Sequence, residues 1–472
     1  MGICYHMDSV ALVRIARFCF QVGRSTSAGT SLDKSSRFRR KGWPASGHNH
    51  KTIVSGVACV DFCVSTSPVV PGRYSFESCF ALPPEDRSPG PLLLLTVALI
   101  GVFAFLQVYS VQAILPLLLH DFGATVVQGG HIVGATVLAV ALVSPFMGLL
   151  SDAIGRKRLI VGSVFFLGLA TAAICGASSI GQMVVLRFLQ GLAVPGISVV
   201  LIAYLGEEWR GRGMARAMSF YVAGTVLGGF LGRFLLGHLS EWMPWRHAFL
   251  VLAVPNILGA MLVARVLPAS RHFVPNPDAS AGLHMLLQHL RNRSVLAACA
   301  LGMCVLFSLV GCFTFINLHL ADAPYRLSTA QLGNVFAVYL LGVLITPLTG
   351  RLLPRLGFRR TMLLALGLSL CGLLLTLQPV VLSIIAGLAV MSSGVFITQS
   401  ATISFVASRV EKSRSLASGL YYMAYYCGGF IGAWVCGLAY VRGQWSATVA
   451  ALLCAQVLGL LIVWQWMPRK TV

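Results

Sequence analysis

Acidic residues are scarce in this chain of 472 residues. Asp and Glu number 14 against 35 Lys and Arg, and charged residues make up only 10% of the total. A soluble globular protein carries about 25%, which excludes an ordinary soluble domain. Ligand spacings are missing too. The 13 Cys form no CxxC and no Cys/His pattern, and eight of them lie inside apolar stretches, where Cys acts as a small hydrophobe. HExxH, GxSxG and an intramembrane Asp pair are all lacking, so a membrane enzyme would have no catalytic cluster. There is no GxxxxGK(S/T) loop with which this chain could use ATP. Neither a metal nor a cofactor is expected, and no catalytic residue.

Apolar runs take the place of charge: 57% of the residues are hydrophobic. About 20 apolar residues cross a bilayer core of about 30 Å, and such runs recur from Pro91 onward. The reading is an all-α polytopic membrane protein with twelve transmembrane helices. The spans are placed near 91–118, 129–150, 158–177, 180–205, 216–238, 246–267, 294–318, 332–353, 361–378, 379–405, 416–440 and 445–467. The longest connection, 269–293, contains Pro, Asn and basic residues and divides the spans six and six. This gives an N-terminal bundle over 91–268 and a C-terminal bundle over 294–468. Residues 1–90 read as a basic, disordered extension. Its stretch Val10–Phe20 carries two Arg and makes a poor secretory signal. No Met occurs between Met7 and Met147, so a native start near residues 70–90 would need a non-Met codon. The extension is therefore also read as sequence that is not native coding sequence. It shows no core pattern of the kind an appended sensor domain would need.

Positive charge is arranged as a topology signal, which excludes a nucleic-acid footprint. One set of alternate loops carries Arg156, Lys157, Arg158, Arg210, Arg212, Arg271, Arg291, Arg293, Arg351, Arg355, Arg359, Arg360, Arg409, Lys412 and Arg414. The other set carries only Arg246, Arg326 and Arg442. The positive-inside rule places the first set, and both termini, in the cytoplasm.

The halves repeat. Gly228–Gly237, "GGFLGRFLLG", returns as "GGFIGAWVCG" at Gly428–Gly437. "GLAVPG" at Gly191 returns as "GLAVMS" at Gly387, and "GLLSDAIGRKRL" at Gly148 as "GRLLPRLGFRR" at Gly350. Three matches in the same order, offset by 196 to 202 residues, indicate two parallel six-helix repeats, a known transporter plan.

These residues resemble the major facilitator superfamily (MFS). Its signature between helices 2 and 3, Gly-x-x-x-Asp-(Arg/Lys)-x-Gly-(Arg/Lys)-(Arg/Lys), reads here Gly148, Asp152, Ala153, Gly155, Arg156, Lys157, departing only at Ala153. The helix 4 motif Arg-x-x-Gln-Gly appears as "RFLQG", Arg187 to Gly191, with Gln190 inside it. Within the family the chain is most similar to bacterial inner-membrane efflux permeases of the drug and sugar-efflux type. Their helix 5 motif is met by "GTVLGGFLGR", Gly224–Arg233, with Gly229 in place of Pro and Arg233 in place of the last Gly. The resemblance implies alternating access at a central site, proton-coupled efflux of a small organic solute and location in the inner membrane. Uptake of an anionic or sugar-like nutrient is the alternative. A monomer is expected, with the solute, protons and the bilayer as its partners. Asp152 is expected to latch the halves by pairing with Arg210 or Arg212 and facing the start of helix 11.

Intramembrane charge costs at least about 2.5–3.5 kcal/mol and normally faces a cavity or a partner. Arg187 therefore reads as a substrate or coupling residue, or as a hydrogen-bond hub to backbone carbonyls. Arg233, placed close to the end of its span, either snorkels or faces the cavity. No Asp or Glu lies mid-span to offset these two, so a neutral or anionic substrate is favoured over a lipophilic cation. Coupling would fall to Asp121, His131, His238, Asp322 or the substrate itself. Tyr109, Gln112, Thr314, Asn317 and Tyr422 are candidate cavity groups, with interhelical glue as their alternative. Tyr421, Tyr422, Tyr425 and Tyr426 fall on two adjacent faces of helix 11. Gly224, Gly228, Gly232 and Gly428, Gly432 form flat strips, expected at the half–half interface.

Overall fold

A computed structural model describes residues 89–209, 211–270, 292–409 and 414–467. The extension through residue 88, Arg210 and the connection 271–291 lie outside the described residues. The first span begins with Pro91 in its first turn, where the missing N–H costs nothing, as α1, Pro91–Leu106. It then breaks into a 3₁₀ turn, Ser110–Ile114, and resumes as α2, Leu115–Phe122, with a 42° bend. Then come α3 (Val126–Ile154), α4 (Arg156–Ala173), α5 (Ile180–Glu208), α6 (Gly211–Trp242) and α7 (Trp245–Val266). The second half runs α8 (Arg293–Ala321), α9 (Thr329–Val335), a 3₁₀ turn Phe336–Leu340, α10 (Leu341–Leu375), α11 (Val381–Arg409) and α12 (Arg414–Trp466).

Among the described residues, nine helices are long and apolar enough to cross a membrane, or ten with the bent pair counted as one span. Two of these are interrupted, α10 at Gly357 and α12 at Gly443–Gln444. Divided there, the chain follows the expected order of twelve segments. The first and eighth segments depart from the expected single rods. Each is broken by a 3₁₀ turn with no Pro or Gly inside it.

The repeat extends to local chemistry. Thr125 and Ser328 open equivalent segments with capping boxes, closed by Gln128 and Gln331 respectively. Gly155 and Gly357 occupy the same turn with φ of 98° and 74°, a region closed to residues with a Cβ.

The glycine strips do pack closely, but inside each half. A Cβ on Gly224, Gly228 or Gly232 would stand 2.0, 2.4 or 1.9 Å from the carbonyl oxygens of Ala98, Val102 and Leu106 on α1. One on Gly428 or Gly432 would stand 2.2 or 2.5 Å from those of Met303 and Phe307 on α8. This corrects the expected half–half placement, because a four-residue glycine period matches one straight neighbouring helix along its length. Different glycines join the halves. Gly130 lies against the Ala433 carbonyl, and Gly237 lies against that of Thr329.

Call the end with the Arg156 and Arg359 turns the basic end. Gly130, Gly237 and Thr329 all lie toward the other end. There one apolar core runs continuously from α2 and α3 into α8 and α12. At the basic end the first half keeps a separate core, built on Leu94, Ile160, Val164, Ile197 and Tyr204. The halves are sealed at the end away from the basic turns.

Candidate functional site between the two halves

Arg187, on α5, is fully buried. Its guanidinium donates to the carbonyls of Gln107 (2.7 Å), Val108 and Ile132 (3.5 Å), and to Gln190 Oε1 (2.6 Å). Gln107 and Val108 form the break in the first span, where helix carbonyls lose their intrahelical donors. Arg187 supplies the donors, so the break and the arginine explain each other. Gln190 passes the network on to Thr171 Oγ1 at 2.7 Å, and the Gln107 amide donates to the Leu252 carbonyl at 2.9 Å.

The unwound stretch places Tyr109 and Gln112 beside Arg233 of α6. Helix α6 runs to Trp242, past the expected end near His238. Arg233 therefore lies nine residues, or about 13 Å, below the helix end. It is buried and does not snorkel. Its Nε donates to Gln112 Oε1 at 2.8 Å and its Nη1 to the Gly229 carbonyl at 2.5 Å. Three rings surround the guanidinium, with centroids at 4.8 Å (Tyr109), 4.5 Å (Phe336) and 4.6 Å (Tyr339). A desolvated cation over such faces gains about 2 kcal/mol. Among the described residues no carboxylate pairs with Arg187 or Arg233.

Gln112 also carries the link to the second half. Its amide donates to Thr314 Oγ1 at 2.9 Å, and its backbone carbonyl accepts from Asn317 Nδ2 at 3.0 Å. Tyr109, Gln112, Arg233, Thr314 and Asn317 thus form one buried cluster across the seal. Phe336 and Tyr339 were hidden from sequence reading inside a span taken as regular. Their i, i+3 aromatic spacing was the available signal. On α12, Tyr421, Tyr425 and Tyr426 are buried and Tyr422 half-buried. Tyr422 stacks on Tyr426 with centroids 6.5 Å apart, so the two expected faces merge into one aromatic block.

Three of the coupling candidates, Asp121, Asp322 and His238, are held by neighbours near the sealed end. Asp121 Oδ2 accepts from Trp245 Nε1 at 2.8 Å and Arg246 Nη1 at 3.1 Å. Asp322 Oδ2 accepts from the Tyr440 hydroxyl at 3.3 Å. His238 Nδ1 lies 2.9 Å from the Phe234 carbonyl.

At the basic end Asp152 Oδ1 meets Arg156 Nη2 at 2.7 Å, one turn along, and of its two expected partners Arg212 makes no ion pair with it among the described residues. Arg156 is gripped in turn by Glu207 of α5, through Nη2 at 2.7 Å and Nε at 3.2 Å. The turn at Gly155 brings Arg156 within reach of both carboxylates. The acidic pair Glu207–Glu208 at the end of a span was the overlooked signal. Arg210 lies outside the described residues, as do residues 410–413 ahead of α12. Gly148 and Lys157 flank this cluster, and a Cβ on Gly148 would meet nothing within 4 Å.

Two open grooves lie elsewhere. One, of about 370 Å³, lies beside Met147, Arg158 and Phe166, and one of about 420 Å³ beside Asp121, Glu241 and Arg246.

Residues 97–325 and 315–472 each match the family model of the Major Facilitator Superfamily. The chain belongs to that family. It is 30% identical over 379 residues to the Escherichia coli inner membrane transport protein YnfM, spanning 80% of this chain and 91% of that one. More distantly, it is 28% identical over 291 residues to the 3-(3-hydroxy-phenyl)propionate transporter of the same organism, covering 58% and 71% of the two chains. The crystal structure of the nucleoside transporter NupG (D323A mutant) shares the fold, with a TM-score of 0.68 at 13% identity over 80% of this chain and 100% of that one. This MFS protein is a multi-pass secondary transporter and not an enzyme.

Proposed function

We propose that this MFS transporter moves a small organic anion with a planar apolar body, such as an aromatic carboxylate. The observation that carries this reading is Arg233, a buried cation boxed by Tyr109, Phe336 and Tyr339 with no carboxylate partner among the described residues. A bound anion gains a charge-assisted hydrogen bond there, shorter and about twice as strong as a neutral one. A lipophilic cation meets repulsion undiluted by water. The relative named for 3-(3-hydroxy-phenyl)propionate supports the same class.

The remaining elements follow from the resemblance and the loop charges. The basic end faces the cytoplasm of a bacterium, the protein lies in its inner membrane, and the sealed end is the outer gate. The solute leaves the cell in exchange for protons. Arg187 holds the break in the first span, and the Asp152–Arg156–Glu207 cluster belongs to the latch of the inner gate. Rocking of the two bundles alternates access to the site between them.

The test uses inverted membrane vesicles with an acidified lumen, corrected against vesicles lacking the protein. Benzoate, benzenesulfonate, benzamide and benzyltrimethylammonium are compared. Accumulation of the two anions, abolished by collapsing the gradient, is the expected result. Selective movement of benzyltrimethylammonium overturns the anion reading. Gradient-driven accumulation of the anions only in right-side-out vesicles reverses the direction.

A further inference from the structure

One acceptor in the central cluster has no donor. Asn317 is fully buried, and its Nδ2 donates to the carbonyls of Gln112 and Phe313, both at 3.0 Å. Because both partners are carbonyl oxygens, the side-chain amide has only one satisfactory orientation; flipped, oxygen would face oxygen. Its Oδ1 is thereby fixed, and that atom is buried with no hydrogen-bond partner. Other buried orphans occur. Gln107 Oε1 lies in the Arg187 network, and Gln456 Oε1 lies between α12 and the helix that follows Gly357. Asn317 alone among these three belongs to the cluster that bridges the halves at Arg233.

The geometry follows from Gln112. Its side-chain oxygen meets Arg233, and its backbone oxygen meets Asn317. The cationic donor and the residue with the free acceptor are thus both bonded to a single glutamine. Arg233 offers N–H to an anion, while Asn317 Oδ1 can only accept. A molecule that satisfies both carries an anionic group and a hydrogen-bond donor. An ammonium donor is disfavoured beside Arg233 in a buried site, which leaves a neutral donor, of which a hydroxyl is the simplest on a small organic anion.

We propose that Asn317 Oδ1 is a specificity-determining acceptor that selects hydroxylated organic anions over their deoxy counterparts. The inference rests on the organic-anion reading above and narrows its substrate class. A site that offers a buried acceptor to a substrate hydroxyl penalises the analogue without it, because the acceptor then stays desolvated and unpaired. Replacing Asn317 with an apolar residue removes the acceptor, and with it the basis of selection.

The experiment reconstitutes the full chain in proteoliposomes and measures protein-dependent counterflow of 2-, 3- and 4-hydroxybenzoate, each against benzoate. Unmodified protein is expected to favour at least one hydroxybenzoate over benzoate by about tenfold or more. In Asn317→Leu the ratio falls towards one, whatever the total rate. Asn317→Ser keeps an acceptor oxygen, with a hydroxyl proton to give to a carbonyl and no added charge, and retains preference for the hydroxylated anion. If Asn317→Leu fails to fold, the ratio in unmodified protein and in Asn317→Ser still decides. Equal counterflow of hydroxybenzoates and benzoate overturns the role of Asn317 and leaves the anion reading standing. So does a preference that survives in Asn317→Leu. Failure of every carboxylate to move overturns the anion reading itself, and this inference with it.

Discussion

The two halves share a backbone plan and divide the chemistry unequally. Capping boxes at Thr125 and Ser328, turn glycines at 155 and 357 and glycine strips on α6 and α12 occupy equivalent places. So do Trp245 and Trp445, each donating its indole N–H, to Asp121 Oδ2 and to the Thr376 carbonyl respectively. Of the charged groups, the basic pair Lys157–Arg158 repeats as Arg359–Arg360, while the others do not. Counted by the repeat offsets, Ser383 stands where the first half has Arg187, Ala433 where it has Arg233, Pro354 for Asp152 and Phe358 for Arg156. The first half holds the two cations buried mid-span, Arg187 and Arg233. The second half answers with neutral groups, Thr314, Asn317, Phe336 and Tyr339. Repetition is strict where it sets helix contacts and relaxed where polar groups face the site. A duplicated scaffold thus supplies the motion, and one copy supplies the charge.

The asymmetry is broken most severely at Arg187. Arg187→Leu strands the Gln107 and Val108 carbonyls in a dry interior, at a cost of about 3–5 kcal/mol. The expected outcome is a large fall in thermal stability in detergent, read by the unfolding midpoint. Arg187→Lys rescues little, because one ammonium cannot reproduce a planar fork reaching four acceptors. Ser383→Leu, at the equivalent place in the second half, costs far less. A Lys variant with normal midpoint and transport would remove the hub from the account.

Arg233→Ala gives the first half the residue that the second half has at Ala433. Losing a charge-assisted contact lowers protein-dependent anion transport by about 30-fold or more. The midpoint falls less than in Arg187→Leu, because Arg233 serves one backbone carbonyl where Arg187 serves three. An unchanged anion rate would move the substrate away from the aromatic box.

Much of this division was legible in the sequence and some of it could not be. Span positions, the repeat and close packing by the glycine strips follow from apolar length and from the four-residue period. The break at Gln107–Tyr109 left no trace, because "FLQVYS" contains neither Pro nor Gly. Its cause is tertiary: Arg187, eighty residues on, competes for carbonyls that would otherwise extend the helix. The depth of Arg233 was misjudged because α6 continues through polar residues to Trp242. Hydropathy ends a span where the lipid ends, not where the helix does. Arg156 reads from the sequence as a member of the signature turn without its partner, since loop counts register its charge but not Glu207 at the end of another helix.

The glycine strips sharpen the shared part of the comparison. Gly232→Ala drives a methyl to within 1.9 Å of the Leu106 carbonyl, and Gly432→Ala to within 2.5 Å of that of Phe307. Backbone must move in both, at about 1–3 kcal/mol each. Both variants should lower the unfolding midpoint, Gly232→Ala by more. Wild-type stability in either would show that the strip on that helix is not a close contact.

The smallest effect has the opposite sign. Gly148 and Gly350 occupy equivalent helical positions, one beside the Asp152 cluster and one beside its copy, where Pro354 replaces the Asp, and a Cβ on either meets nothing within 4 Å. A helical glycine with open space costs about 0.5–1 kcal/mol relative to alanine. Gly148→Ala and Gly350→Ala should therefore each raise the midpoint slightly, while the sealed-end form is stabilised. Transport responds differently if the basic end closes during the cycle. Both turns then move towards the facing half, and a methyl is tolerated in one state and resisted in the other. A more stable but slower transporter is expected for Gly148→Ala, measured as turnover at saturating solute. The same pair of changes in Gly350→Ala would mean that closure uses both turns alike. A slowed Gly148→Ala beside a normal Gly350→Ala would place the moving contact at the first-half turn alone, where Asp152, Arg156 and Glu207 are assembled.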